Sequence, residues 1–267
     1  KYAVGNQADF GFGPGYLLND QQTAIDDAAA MDASSSTVQG WTGTGVNNVF
    51  TVGFATDGTA LSINTAANAA TAGGAIDVNS GTYAEDVAIG KQLTFNFDGA
   101  TVNSFTLASG AAGSVLNGDL TATGAIAFNG ATSVTGDLKA ASITATDAFA
   151  LNGNAAASGA IALNGATTLA GNLTGGSIAL GATTLTGNTS LDTSAANGAI
   201  KVASVNGATA GGQSLAIKAG TGSVSLGNAG ATTRLGAVSD ASKTTLTGST
   251  YNANSFLFGG DVTLTSA

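Results

Sequence analysis

One segment of this sequence occurs four times at nearly constant spacing. The residues AIAFNGATSVTGDL at positions 125–138 are followed by AIALNGATTLAGNL at positions 160–173. A shorter copy begins at Ser177 and a more divergent one at Ser142. The isoleucines that mark the four copies are Ile126, Ile143, Ile161 and Ile178, with successive steps of 17, 18 and 17. Helical repeats need about 33 residues and propeller blades about 40, so a much shorter step predicts one turn of a parallel β-helix.

Strands and corners can both be located within a copy. Apolar residues alternate with others, as at Ile161 and Leu163, which places every second side chain on the inner side of a strand. Asn-Gly dipeptides indicate tight corners, because Asn and Gly tolerate a positive φ. Antiparallel hairpins use the same dipeptide, so the corners alone leave a β-meander open, and the repeat favours the β-helix. The six dipeptides are Asn117-Gly118, Asn129-Gly130, Asn152-Gly153, Asn164-Gly165, Asn197-Gly198 and Asn206-Gly207.

We therefore expect an all-β fold in which residues 56–267 form a single-stranded parallel β-helix, or β-solenoid. The repeat gives this range roughly eleven or twelve turns, stacked about 4.8 Å apart. Beyond Ile178 the spacing becomes uneven, with Ile200, Ile217 and Leu226 as the next apolar markers. We interpret the extra residues as loop insertions within the same domain.

Residues 1–55 differ from the repeat and are expected to form an N-terminal cap over the first turn, as solenoids require. They contain the stretch FGFGPGY at 10–16 and the only Trp and Met of the chain, Trp41 and Met31. Asn19 or Asp20 is a suitable N-cap for a short helix that ends near Ala33. The apolar residues at helical spacing are Ile25, Ala28, Ala29 and Met31.

The composition argues against several partners and cofactors. The formal net charge is −9, with seven Lys and Arg residues and neither His nor Cys. Binding to phosphates requires clustered cations, so we expect no nucleic-acid partner, and an anionic membrane surface is disfavoured for the same reason. A run of about 18 apolar residues is missing, so no membrane span is expected. Without His or Cys there is no catalytic triad, thiol nucleophile or ordinary zinc site, and we expect no cofactor.

Residues 74–95, GAIDVNSGTYAEDVAIGKQLTF, resemble the opening turns of pectin-lyase-like right-handed β-helix proteins. The segment around Thr23-Ala24-Ile25 is similar to the amphipathic helical cap of that family. The Gly, Ala, Thr and Asn-rich remainder resembles filamentous-haemagglutinin-like adhesins. The resemblance implies a right-handed helix, a short helical cap and an extracellular or bacterial cell-surface location. The matching residues are Ile76, Val78, Gly81, Thr82, Tyr83, Glu85, Val87 and Ile89.

Two carboxylates are candidates for chemistry on a glycan. Asp119 and Asp137 follow related turns and could line one edge of the rod, and carboxylate pairs serve glycoside hydrolysis. A polysaccharide-binding or polysaccharide-degrading β-helix is therefore the alternative function. Asp favours turns, so we interpret both residues as solvated corner residues, and Glu85, the only Glu, as a structural one. The Asp-Phe-Ile-Phe-Gly motif of pectin methylesterases is absent, and Arg234 is the only arginine.

Three further features have structural interpretations. We expect Tyr83 to pack beneath the cap and Trp41 to pack within it. Thr-x-Thr pairs are typical of ice-binding β-solenoids, but here the steps between successive pairs are 23, 40 and 61, which do not correspond to whole turns. A flat threonine ladder is therefore not expected. The pairs are Thr121/Thr123, Thr144/Thr146, Thr184/Thr186 and Thr245/Thr247.

The sequence thus predicts a non-catalytic structural or adhesive protein that is secreted or lies on the cell surface. Lys1 in place of Met suggests a processed product, which removal of a signal peptide would explain. Residues 257–267 end in an alternating strand without a cap, so we expect head-to-tail self-association into a filament or continuation of a longer chain. A glycan or host-surface ligand is a further expected partner. The expected assembly surface contains Phe10, Phe12, Tyr16, Trp41, Phe256, Leu257, Phe258, Val262 and Leu264.

Overall fold

The structure is a computed structural model that describes residues 49–53 and 60–265. In these residues the chain forms 25 β-strands, one α-helix, α1 (Ile63–Ala69), and one 3-10 turn (Ser109–Ala111). The strands are β1 (Val49–Val52), β2 (Ala75–Val78), β3 (Gly81–Ile89), β4 (Thr94–Phe97), β5 (Ala100–Leu107), β6 (Ser114–Asn117), β7 (Leu120–Ala122), β8 (Ala125–Phe128), β9 (Thr132–Val134), β10 (Leu138–Ala140), β11 (Ser142–Ala145), β12 (Phe149–Leu151), β13 (Ala155–Ala157), β14 (Ala160–Leu163), β15 (Thr167–Leu169), β16 (Leu173–Thr174), β17 (Ser177–Leu185), β18 (Thr189–Asp192), β19 (Ile200–Gly207), β20 (Leu215–Lys218), β21 (Ser223–Ala229), β22 (Leu235–Asp240), β23 (Lys243–Leu246), β24 (Ala253–Phe258) and β25 (Val262–Leu264).

The solenoid has three faces, and each turn of the chain adds one strand to each face. The strands within a face are parallel. In the turn formed by β12, β13 and β14, the first strand pairs with β9 and β15, the second with β10 and β16, and the third with β11 and β17. We call the faces that contain β12, β13 and β14 face A, face B and face C. Strands β3, β5, β17, β19 and β21 bend around a corner and belong to two faces. The result is a parallel β-solenoid of about 11 turns, which confirms the predicted fold class.

The isoleucines of the sequence repeat form one vertical column inside face C. Ile126 pairs with Ile143, Ile143 with Ile161, and Ile161 with Ile178, and all four side chains are at most 1% exposed. Ile200 continues the column above Ile178, and most of the residues that lengthen this step lie in the connection 193–199. The expected loop insertions are therefore confirmed. Of the later markers, Ile217 belongs to face B, where it pairs with Leu191.

Glycines occur at the corners because successive turns approach closely there. A Cβ atom on Gly136 would lie 2.0 Å from the carbonyl oxygen of Gly118, and one on Gly153 would lie 2.1 Å from that of Gly136. Our assignment of the Asn-Gly corners to a positive φ is mostly wrong, since Gly118 and Asn197 are the only residues of the six dipeptides with one. At Gly130, Gly153 and Gly165 a carbonyl of the turn below, and not the local backbone angle, excludes a side chain, whereas a Cβ on Gly207 would first meet Gln213 and Thr209 of the following connection.

Helix α1 closes part of the N-terminal side of the rod, where it packs against β1, β2 and β3. Ser62 caps its first turn by accepting a hydrogen bond from the N–H of Thr65 (3.1 Å), and Ile63 and Ala66 face the core. The sequence reading missed this helix. The helix expected between Asn19 and Ala33 lies outside the described residues, as does most of the expected cap 1–55, of which β1 is described and pairs with β2.

Candidate assembly surface

The last described turn exposes apolar side chains at column positions that are buried in the turns below. Phe256 continues the face B column above Val238, and its side chain is 37% exposed, whereas Val238 is 0% exposed. Leu264 continues the face C column above Leu246, and it is 76% exposed against 9% for Leu246. Within the described residues, the terminal turn therefore leaves the inner side of a solenoid layer partly uncovered.

Aromatic rings form the face B part of this surface. The rings of Phe256 and Phe258 stack with their centroids 6.0 Å apart and their planes 9° from parallel. Val262 lies beside them on face C and is 41% exposed. All the exposed large hydrophobic side chains of the described residues belong to β24 and β25. The apolar surface of the rod is thus concentrated at one end.

The backbone of the terminal turn also has an open side. Within residues 49–53 and 60–265, β24 pairs only with β22, and β25 pairs only with β23. A parallel strand uses both of its edges in the interior of a sheet, so the second edge of each of these strands is a template for a further strand. The terminal turn can therefore accept both apolar contacts and main-chain hydrogen bonds from a parallel partner.

The structure brings five of the nine predicted assembly residues together in this turn, and they do not all point the same way. Phe256, Phe258, Val262 and Leu264 face the inner columns, whereas Leu257 pairs with the half-exposed Ser239 on the outer side and is itself 69% exposed. The other four predicted residues lie outside the described part of the chain: Phe10, Phe12, Tyr16 and Trp41.

At the N-terminal side of the rod, the side chain of Asn64 binds the backbone edge of face C. The Asn64 Nδ2 donates to the carbonyl oxygen of Asp86 (2.8 Å), and its Oδ1 accepts from the N–H of Ala88 (2.8 Å). These backbone groups of β3 are the ones that a preceding parallel strand would use. Asn64 thus replaces one peptide unit of a missing strand and ends the face C sheet.

Two charged residues hold α1 in this position. The Glu85 carboxylate accepts hydrogen bonds from the N–H of Ile63 (2.8 Å) and from the hydroxyl of Ser62. The Lys91 ammonium donates to the carbonyl oxygens of Asn68 (2.9 Å) and Ala70. Negative charge at the start of a helix and positive charge at its end are both stabilising. Glu85 therefore fastens the helix, in agreement with its interpretation as a structural residue.

Tyr83 is buried beside this end, at 1% exposure. Its hydroxyl donates to the carbonyl oxygen of Asn79 (2.9 Å) or of Val52 (3.2 Å). Burial disfavours the phenolate and raises the pKa of Tyr83 to about 12. Tyr83 thus ties the first described strand to the corner that follows β2.

Asp119 and Asp137 lie on successive turns at the corner between face A and face B. The N–H of Asp137 donates to the Oδ1 of Asp119 (2.8 Å), and the N–H of Asn154 donates to the Oδ1 of Asp137 (2.7 Å). Asn154 and Asn172 extend the same ladder, because the Oδ1 of each accepts an N–H from the turn above. The two carboxylates do line one exposed edge as predicted, but each already binds the backbone of the next turn.

Asp240 is a buried aspartate that was not predicted from the sequence. Asp240 is 1% exposed and stands in the face B column between Ile217 and Phe258. Its carboxylate accepts hydrogen bonds from the N–H of Ser242 (2.8 Å) and the hydroxyl of Thr244 (2.5 Å). The unusually polar stretch SDASKTT at 239–245 was the available signal that the apolar column is interrupted just below the terminal turn.

Shallow grooves follow the outer faces of the described residues. One follows face A past Val115, Ser133 and Ala150, with a volume of about 300 Å³. The other follows face B past Lys139 and Ala156, with a volume of about 350 Å³. Neither groove is lined by a carboxylate or by an aromatic residue other than Phe149, which is buried.

The described residues were expected to lack a metal site and a membrane span. The described part of the chain holds no group of three or more His, Cys, Asp or Glu side chains arranged to bind a metal ion. Among its helices, none is long and apolar enough to cross a membrane.

The Thr-x-Thr pairs do not form a ladder, since Thr144 pairs with Ala127 and Ala162, and Thr121 pairs with Lys139. The prediction for the threonine pairs is confirmed.

Comparison with known proteins identified no relative. No family model matches the chain, and no curated protein and no solved structure is significantly similar to it.

Proposed function

We propose that this chain is a non-catalytic structural rod, secreted or carried on the cell surface, whose terminal turn is completed by a second copy so that rods assemble end to end. The observation that carries the proposal is the last described turn, where Phe256, Phe258, Val262 and Leu264 continue buried columns and are left partly exposed by the described residues. Burying such side chains against a further layer is favourable by roughly 1.5–3 kcal/mol for each fully covered residue.

The geometry of this contact favours a filament. The partner would contribute a different surface from the one that it contacts, so the interface is heterologous and does not close on itself. Hydrogen bonds to the open edges of β24 and β25 would align the partner with the rod, as in recognition by strand addition. Repetition of one such contact gives a linear assembly.

The location and the family belong to the same proposal. Residues 74–95 resemble the opening of pectin-lyase-like right-handed β-helices, and the remainder resembles filamentous-haemagglutinin-like adhesins. A right-handed, adhesin-like rod outside the cell is consistent with a sparsely charged outer surface, since charged residues make up 9% of the chain. A glycan or host-surface ligand would then bind along the rod.

Assembly is tested with two neighbouring substitutions in β25. Leu264 faces the inner column and Thr263 faces outward, so Leu264→Asp places a charge in the contact and Thr263→Asp places it beside the contact. Leu264 is already 76% exposed, so neither substitution buries a charge within a single rod. We expect filaments of the full chain and of Thr263→Asp in negative-stain electron microscopy, and short rods for Leu264→Asp.

Light scattering after size-exclusion chromatography gives the corresponding masses, and circular dichroism verifies that both variants are folded. A full chain that stays monomeric at high concentration contradicts the proposal. So does a Leu264→Asp variant that assembles as well as the Thr263→Asp variant.

A further inference from the structure

The inner side chains of the terminal turn have a regular spacing. Phe256 and Phe258 on face B are followed by Val262 and Leu264 on face C, at positions i, i+2, i+6 and i+8. The turn below has the same spacing, with Asp240 four residues before Thr244. Earlier turns differ: the corresponding residues are Leu138 and Ile143, five apart, and Ile217 and Val224, seven apart. At the corner between face B and face C this spacing is therefore confined to this end of the rod, although the corner between face C and face A has it in earlier turns, as at Ile161, Leu163, Thr167 and Leu169.

A segment near the start of the chain has the same spacing and shares residues with the terminal turn. Residues 10–18 read FGFGPGYLL, and residues 256–264 read FLFGGDVTL. When the two segments are aligned, both Phe residues, the Gly that follows and the final Leu are identical. Tyr16 stands at the position of Val262, and Pro14 stands at that of Gly260, in the corner between the two faces. Segment 10–18 thus has the inner residues that a further turn of the terminal type requires.

We propose that segment 10–18 of a second copy forms the next turn on the open end, in register with β24 and β25. This inference rests on the proposed function and names the contact that performs it. Phe10 and Phe12 lie over Phe256 and Phe258, where aromatic stacking adds to apolar burial. Tyr16 and Leu18 cover the face C columns in the same way, and the backbone of the segment pairs with the two open strand edges.

A strand segment fits this end better than a second complete rod does. The open face C edge of β25 needs a parallel strand, but the N-terminal side of face C is occupied by α1, whose Asn64 already bonds to β3. A rod stacked on this end would therefore place a helix over β25. An extended segment that precedes β1 in the chain can pair with β24 and β25 directly.

A second copy is also a better source of the segment than the same chain. In the same chain, residues 19–48 would have to return along the outside of about ten turns, or roughly 48 Å. The outer columns on that path carry small residues such as Ala127, Thr144 and Ala162, and the exposed large hydrophobics of the described residues all belong to the terminal turn. The apolar residues Ile25 and Trp41 would find little apolar surface there. Between two copies the same residues only bridge adjacent ends.

The register can be tested by disulfide formation, because the chain contains no Cys. Gly11 and Leu257 would be outward neighbours on adjacent strands, with Cα atoms about 4.8 Å apart, which suits a disulfide. One protein carrying Gly11→Cys is mixed with another carrying Leu257→Cys under mild oxidation. Leu17→Cys with Thr263→Cys is the second in-register pair, and Gly11→Cys with Thr263→Cys is the off-register control.

We expect both in-register mixtures to give covalent dimers at least about tenfold faster than the control mixture, because the assembled contact raises the effective concentration of the paired thiols. Each variant in a mixture has a single Cys, so such a dimer joins two chains. Filaments that form with equal rates for all mixtures would overturn the register while leaving end-to-end assembly in place. Failure of the full chain to assemble would remove both proposals.

A fold-back of the chain gives a different result. In a protein that carries both Gly11→Cys and Leu257→Cys, it would produce an internally linked monomer, and the mixtures of single variants would give no dimers. That outcome would overturn the second-copy contact.

A matched pair of substitutions tests the energetics. Tyr16→Asp changes an inner position and Leu17→Asp the adjacent outer one. We expect Tyr16→Asp to raise the concentration at half assembly about 100-fold, which corresponds to roughly 2.8 kcal/mol, and Leu17→Asp to change it less than about threefold, as for a solvated charge at the rim of an interface. Equal effects of the two substitutions would contradict the proposed orientation of the segment.

Discussion

The stacked glycines at the corner between face A and face B allow a sharp test of how the turns are held together. A Cβ atom on Gly136 would lie 2.0 Å from the carbonyl oxygen of Gly118, and contacts below 3.0 Å are essentially never made by real Cβ atoms. Gly136→Ala therefore forces the two turns apart by about 1 Å at this corner, and overpacking of this kind costs about 1–3 kcal/mol. The backbone angle φ of Gly136 is not positive, so conformational strain adds nothing.

The same displacement stretches two hydrogen bonds between the turns. The N–H of Leu120 donates to the carbonyl oxygen of Asp137 (3.0 Å), and the N–H of Asp137 donates to Asp119 Oδ1 (2.8 Å). Weakening bonds that contribute about 0.5–1.5 kcal/mol each brings the expected loss of unfolding free energy to about 2–4 kcal/mol. For a chain of this length each kcal/mol lowers the melting temperature by about 2–4 °C, so differential scanning calorimetry should record a decrease of about 4–16 °C.

Gly90→Ala is the control for this substitution. A Cβ atom on Gly90 would meet nothing within 4 Å, and its φ is not positive. The substitution removes conformational freedom from the unfolded chain and should stabilise the protein by about 0.4–1 kcal/mol. Two results would refute the claim that the Gly118 carbonyl excludes a side chain at Gly136. One is a Gly136→Ala variant that melts at the same temperature as the unmodified chain. The other is a change of stability in the same direction for both variants.

Two further predictions concern the core and the N-terminal side. Ile161→Asp buries a charge in the face C column and should lower the unfolding free energy by more than about 4 kcal/mol. Asp137→Ala removes one exposed hydrogen bond and should lower it by about 1 kcal/mol. Equal melting temperatures of the two variants would refute the assignment of inner and outer positions. The pKa of Tyr83 is raised to about 12 from an ordinary value of 10.0, so the folded state holds the phenol proton more tightly than the unfolded state. The contribution of the protonated Tyr83 to the unfolding free energy is therefore complete below about pH 10 and is lost as the pH rises through about 12. In an absorbance titration of the phenolates, Tyr83→Phe should remove the component of highest pKa, and an unchanged titration curve would show that another tyrosine is responsible.

The body of the solenoid was predictable from sequence because each turn has nearly the same surroundings as its neighbours. The isoleucine step of 17 or 18 reports the length of one turn, and Ile126, Ile143, Ile161 and Ile178 accordingly form one column. The step holds only while the corners keep their length. Once the connections lengthen after Ile178, the next apolar residue can belong to another face, as Ile217 does.

Features that depend on distant residues were not predictable in the same way. Helix α1 does have a local signal, since Ser62 is followed by Ile63, Ala66, Ala67 and Ala70 at helical spacing. A helix of seven residues is not stable alone, and this one is fastened by residues that lie 22 and 23 positions away in sequence. Most of the Asn-Gly corners were located correctly, with Asn206-Gly207 instead at the end of β19, but their cause was not, because at Gly130, Gly153 and Gly165 the excluding carbonyl belongs to the previous turn.

The end of a solenoid is the part that a repeat describes least. A repeat specifies what lies above and below a turn, and it says nothing about a turn with only one neighbour. Whatever covers the terminal turn must nevertheless place its inner side chains over Phe256, Phe258, Val262 and Leu264, because the columns are vertical and the strands are parallel. A covering segment must therefore place inner residues two positions apart on each face, whereas the length of its corner can differ, as it does where Asp240 and Thr244 cover Ile217 and Val224. The stronger indication of a contact is therefore that residues 10–18 share both Phe residues, the following Gly and the final Leu with residues 256–264, because aromatic character alone would suit burial against any apolar surface and the spacing alone recurs at other corners of the rod.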